Sequence, residues 1–200
     1  MKTLLTALAV VAALLTARAQ EKIAPDQIAK IAPRLLENSS ALKGIQFKIE
    51  ADADKADGLK AGDVGLIVMP DKRLTAEKLE KAGKDIVPLG QLYLKGLAPV
   101  KNGKPTDNDR MHILMLEDDG KTHRIWLCLL GVRKRDGNLE LVIYGSEKAP
   151  LFQSLLRKSE SATDVIFDVS GEKRNDESAE ITLSILGKYK TSFVVMKQEG

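Results

Sequence analysis

The chain has 200 residues, 31 basic against 28 acidic, one cysteine and 4% aromatic side chains. A lone cysteine excludes an intramolecular disulfide, so stability must come from a packed core, for which this length is ample. Nearly balanced charge excludes a broad cationic field for nucleic acid, and sparse aromatics disfavour a base- or sugar-stacking platform.

The first nineteen residues carry the parts of a secretory signal. Lys2 supplies a positive start, Leu4 to Leu15 form an apolar run broken only by Thr6, and Ala17-Arg18-Ala19 offers a small-x-small cleavage site. The run is shorter than the roughly 20 apolar residues that a membrane-spanning helix needs, so cleavage before Gln20 is expected. Lys2 and Arg18 leave with the signal, and 29 basic residues then face 28 acidic ones, a net of +1. The expected address is the periplasm, or secretion, with no membrane span after cleavage.

Residues 20–40 read as an N-terminal helical or kinked arm, and 41–200 as a single β-rich domain. Within the arm Ile28, Ile31, Leu35 and Leu36 fit one helical face, but Pro33 removes an amide in its middle, which predicts a kink or two short turns. Ile45, Phe47 and Ile49 alternate as a half-buried strand does. Val64 to Met69 is an apolar run ending at Pro70, the pattern of a strand covered on both faces. A helix of about two turns follows, with Thr75 as N-cap and Gly83 as a left-handed stop.

Strands are predicted near 87–97, 110–117, 122–133 and 138–145. Asp119-Gly120 and Asp136-Gly137 join the last three as tight hairpins, because their backbones accept the positive φ of type I′ turns. The second hairpin sets Arg133 opposite Glu140 and Leu130 opposite Ile143, which pairs charge with charge and apolar with apolar. Trp126 to Leu130 is apolar on both faces and is placed in the middle of a covered sheet, with Cys128 a buried thiol. Residues 147–158 suggest a short amphipathic helix through Leu151, Phe152, Leu155 and Leu156. Val165, Phe167 and Val169 alternate as a strand, and strands near 180–186 and 190–197 close the chain, with Ile181 opposite Val195 the preferred register. The resulting fold class is mainly β, with α+β as the alternative: an antiparallel meander forming a sandwich or partly open barrel with two or three short helices.

Two polar stretches, 98–109 and 170–179, read as loops. The first carries the candidate ligand- or partner-binding residues, Asn102, Asp107 and Asp109, since long loops on a rigid sheet often bear function. His112 and His123, the only histidines, fall four ladder positions apart, roughly 13 Å at about 3.3 Å per residue, too far for one metal ion. No G-x-S-x-G elbow, phosphate loop or calcium-loop spacing occurs. The sequence therefore points to an exported, soluble, non-enzymatic ligand- or protein-binding or structural module, with no cofactor or metal and with an envelope protein as the possible partner. The alternative is a periplasmic hydrolase built from Asp107, Asp109 and one histidine.

Overall fold

A computed structural model describes residues 20–118, 120–159 and 165–198, and the expected signal segment lies outside them. A short β1 (Glu21–Lys22) leads into α1 (Pro25–Ser40), β2 (Asp57–Ala61), β3 (Val64–Pro70), α2 (Ala76–Glu80) and β4 (Val87–Lys95). Then come β5 (Leu97–Lys101), β6 (Lys104–Pro105), β7 (His112–Asp118), β8 (Lys121–Arg135) and β9 (Asn138–Tyr144). The chain closes with β10 (Phe152–Leu155), β11 (Arg157–Lys158), β12 (Phe167–Lys173), β13 (Ser178–Ile185) and β14 (Tyr189–Lys197). The fold is mainly β: two antiparallel sheets, one curled into a half-barrel, with two short helices. Among the described residues no helix is long and apolar enough to cross a membrane.

The fifteen-residue strand β8 organises the larger sheet. Along one edge Trp126 to Val132 pair with β4. Along the other, β7 takes the first half of β8 and β9 the second, so both lie end to end against one strand. The expected registers hold: His112 faces Leu127, Arg133 faces Glu140 and Leu130 faces Ile143. Asp136 and Gly137 take φ of +50° and +83°, as a type I′ turn requires. Trp126, Cys128, Leu130 and Val132 point into the core shared with the second sheet, against Phe167, Leu183, Ile185 and Phe193. Leu127 and Ile125 point the other way, to Ile28, Ala32 and Leu35 of α1. Beyond the helix, Phe47 and Ile49 cover Leu129, Val142 and Tyr144. Both faces of β8 are thus covered, as its sequence demanded.

Several expectations give way to tertiary pairing. Residues 45–49 form no strand, although Phe47 and Ile49 do pack inward. Residues 147–158 form no helix; β10 runs antiparallel to β9, whose edge needed a partner, and β11 joins β14. The polar stretch 98–109 is mostly β5, a tight turn and β6, and 170–179 is a hairpin joining β12 to β13. Thr75 caps α2 through Lys78 N, but Gly83 has no positive φ and the helix ends at Glu80. Helix α1 runs unbroken through Pro33, which lies on its exposed side where water can serve the carbonyl the ring leaves unbonded. Ile181 faces Phe193, two residues from the expected register, because the connection is Leu186-Gly187-Lys188; a shift of two keeps every side chain on its face. Val165 lies outside β12 and is exposed.

The two sheets are joined at β2 and β12 by one carboxylate. Asp57 accepts a hydrogen bond from Val169 N at 2.8 Å and pairs with Lys22, whose ammonium also reaches Asp168 at 2.8 Å. At Gly96, with φ +61°, the chain leaves one sheet for the other. Gly90 sits where β4 touches both neighbours, and a Cβ there would lie 2.1 Å from the Met69 carbonyl oxygen.

Asp71, 2% exposed, ties the segment before β2 to the end of β3. Its carboxylate accepts from Glu50 N at 3.0 Å, from Arg73 N at 2.8 Å and from the Arg73 guanidinium at 2.9 Å. Burial alone would raise its pKa, but the Arg73 guanidinium and the two amides outweigh burial and hold it below the ordinary value. Asp71→Asn is expected to cost about 2 kcal/mol in urea unfolding at neutral pH, the worth of charged hydrogen bonds at a buried acceptor. Because the folded pKa is depressed, this contribution is complete above the unfolded value of about 4 and is lost as pH falls through the lower folded value. A mutational penalty that stays flat from about pH 7 to about pH 3 contradicts the assignment.

Candidate functional site

Helix α1 is amphipathic, and where its inward stripe ends a second stripe begins. Ile28, Ala32 and Leu35 are buried against the sheet. Gln27, Lys30, Ile31 and Arg34, at i, i+3, i+4 and i+7, line one wall of an open cleft of about 640 Å³ between the helix and the sheet. A volume of this size is within the range of small-molecule sites, about 300–1,000 Å³.

The sheet builds the other wall by alternation. Ile67 of β3 faces Tyr93 of β4, and Leu116 of β7 faces His123 of β8. These side chains with Ile125 form an apolar floor, because period-two positions on neighbouring strands share a face. Two ladder positions further out, and so on the same face, Lys60, Gly65 and Lys95 form a row across β2, β3 and β4. The glycine contributes no side chain, so the two lysines flank an open notch, with their backbones two strand spacings or roughly 10 Å apart. Lys60 Nζ also reaches Gln27 Oε1 at 3.2 Å, bridging sheet and helix.

The cleft's charges are unequal. Lys30, Arg34, Lys60 and Lys95 line it with His123, against the carboxylates of Asp63 and Asp118. Arg34 donates to Asp118 Oδ1 at 2.7 Å, spanning from α1 to the tip of the β7–β8 hairpin. The Arg34 hydrogen bond, with the further fields of Arg34, His123 and Lys95, holds the Asp118 carboxyl below its ordinary range against a small desolvation penalty. Beneath the cleft, Tyr93 donates to Gln91 Oε1 at 2.7 Å, and its hydroxyl lies 3.2 Å from Ser39 Oγ. Burial pushes that phenol up to about 12, so it stays protonated.

A second cleft, of about 440 Å³, opens between the two sheets on the far side of the β2–β3 turn. Leu59, Leu66, Leu97, Ile181 and Val195 line it, with Lys173 and Lys197 among its polar lining. Gln20 is also on its wall, its side chain seated against Gly171, where a Cβ would lie 1.4 Å from the amide oxygen. Ile113 and Met115 on β7 are exposed, but Met115 lies opposite Arg124 and Glu117 follows on the same face, so they form no broad apolar patch.

Asn102 occupies the turn between β5 and β6 with φ +53°. Asp107 precedes a short 3₁₀ turn at Asn108–Arg110, and Asp109 lies in it, its carbonyl accepting from Ser146 Oγ at 3.0 Å. All three are exposed and none lines either cleft. Of the hydrolase candidates only His123 lines the cleft beside α1, while His112 is buried, and burial lowers its pKa despite a hydrogen bond to the Gly145 backbone. Among the described residues no three His, Cys, Asp or Glu side chains converge on a metal position. The cleft residues Lys30, Arg34, Lys60, Gly65 and Lys95 were missed by sequence reasoning. The helical stripe was visible in 27–34; the lysine row needs the β2–β3–β4 register, which no local pattern reveals.

Comparisons with protein-family models, curated proteins and solved structures find no match to this chain. The site is therefore read from its geometry alone.

Cys128 lies in the core, and burial pushes its thiol up to about 12. Ellman's reagent at neutral pH is expected to modify the native protein at least about a thousandfold more slowly than the urea-unfolded chain, since reaction must await opening of the core. Rapid native modification contradicts this burial.

Proposed function

We propose that this chain is an exported, non-enzymatic binding module that holds a small ligand in the cleft between α1 and the larger sheet. The observation that carries the reading is the cleft itself, a half-apolar, half-basic concavity whose two walls come from a buried-face helix and a rigid sheet. Rigid walls hold a ligand without an ordering cost at the moment of binding, which favours affinity. Export rests on the segment Met1 to Ala19, with its positive start, apolar run and small-residue junction.

Two measurements test the reading. The full-length gene, expressed in a Gram-negative host, is expected to yield envelope protein whose N-terminal sequence starts at Gln20; recovery of Met1 in the cytosol contradicts export. Nile red, a neutral polarity-sensitive dye, is expected to bind the purified protein saturably at about one site. Ile31→Trp, which fills the cleft from a half-exposed helical position, is expected to weaken that binding about tenfold or more while leaving the urea midpoint nearly unchanged. Absence of saturable binding to the wild type overturns the assignment.

A further inference from the structure

We infer that the occupant of this cleft is a free, single-chain anionic amphiphile, with its carboxylate or phosphate monoester head among the lysines and its alkyl tail along the sheet. The inference rests on the ligand-binding reading above and names the ligand's class.

Four positively charged side chains line a cleft with two carboxylates, a local excess of two on a chain whose excess from Gln20 onward is only one, so positive charge is concentrated there. Lys30 and Arg34 lie one helical turn apart, about 6 Å along the axis, and face the Lys60–Gly65–Lys95 row across the opening. Gly65 places no side chain in that row between the lysines, and the Lys60 ammonium is held there by Gln27 Oε1 at 3.2 Å. Below the row the half-buried Ile23 and Ile31 offer apolar surface, backed by the buried Tyr93, Leu116 and Ile125, and burying methylenes there is favourable.

The protein already places one carboxylate in this field. Asp118 sits on Arg34, with His123 and Lys95 adding to the positive potential around it. Both partners of that pair are more than two-fifths exposed, so solvent screens their attraction and the pair yields readily to a competing anion. A cationic amphiphile meets the wrong sign, and a neutral one leaves the lysines unused. Asp63, on the rim, repels an anion, but together with Asp118 it still leaves the four cations of the cleft two in excess.

The test displaces Nile red from the purified protein with laurate, dodecyl phosphate, dodecyl maltoside and dodecyltrimethylammonium, each below its micelle concentration. The two anions are expected to bind about tenfold more tightly than the neutral or cationic chain. Lys60→Glu and Lys95→Glu are each expected to weaken laurate about tenfold and to leave dodecyl maltoside within about twofold. Asp118→Asn is expected to tighten laurate severalfold, a gain that a merely structural role does not give. Equal affinity for all four chains, or indifference of laurate to the lysine variants, overturns the anionic assignment while saturable Nile red binding keeps the cleft. Loss of Nile red binding itself removes both readings. Binding to phosphatidylglycerol vesicles with none to monomeric laurate also overturns the proposal, since the ligand is then a membrane surface.

Discussion

Strand β8 carries large apolar side chains on both of its faces, and neither face can be left to water. Trp126, Cys128, Leu130 and Val132 require one covering layer, and Ile125, Leu127 and Leu129 require another. At about 1.5–3 kcal/mol for each large apolar side chain, exposing either set would cost several kcal/mol, comparable with the whole net stability of a domain, about 5–15 kcal/mol. The second sheet answers the first demand. Helix α1 and the segment carrying Phe47 and Ile49 share the second, and their division of the surface follows from what each can reach. The cleft lies along the flank of α1, where the cover over the sheet stops.

That constraint explains why the parts of the fold differed in legibility. The β7–β8–β9 meander could be read from Asp119-Gly120, Asp136-Gly137 and the charge pair Arg133–Glu140, because turn chemistry and cross-strand pairing are local. The double cover of β8 could be read from its own composition. By contrast, Ile45, Phe47 and Ile49 alternate like a strand, yet their role is to lay side chains on Leu129 and Tyr144, with no ladder partner beside them. Leu151 to Leu156 satisfies a helical spacing equally well, and only the unpaired edge of β9 decides for strand. Strand β2, Asp-Gly-Leu-Lys-Ala, carries the chemistry of a turn, and it is extended because β3 on one side and β1 on the other give it partners.

The candidate site was less legible for the same reason. Asn102, Asp107 and Asp109 drew attention as polar residues in a long loop, but most of that loop is a sheet edge and its turn. The lysines of the cleft are ordinary surface residues in the sequence, separated by 30 positions or more between α1, β2 and β4. Only the register Lys60–Gly65–Lys95 and the helical stripe through Lys30 and Arg34 bring them together. A cleft assembled from strands of one sheet and a helix leaves no spacing to find.

The carboxylates divide along the same line between frame and site. Asp71 and Asp57 each accept backbone amides as well as a cation, and each ties one piece of chain to another. Their cations are about half in solvent, but the carboxylates are not: Asp71 is 2% and Asp57 20% exposed. Each is also held by a backbone amide, so removing the amide or the cation leaves a largely covered acceptor unmet. Asp118 accepts Arg34 with both groups half in solvent, where Coulomb attraction is screened and little is lost when the pair opens. An ion pair that spans a cleft and opens cheaply adds little to the fold, whereas an arginine released beside Lys95 and His123 raises the positive potential at the opening. The weakness of this contact means that it does little to hold the helix against the hairpin, which the buried stripe of Ile28, Ala32 and Leu35 does instead.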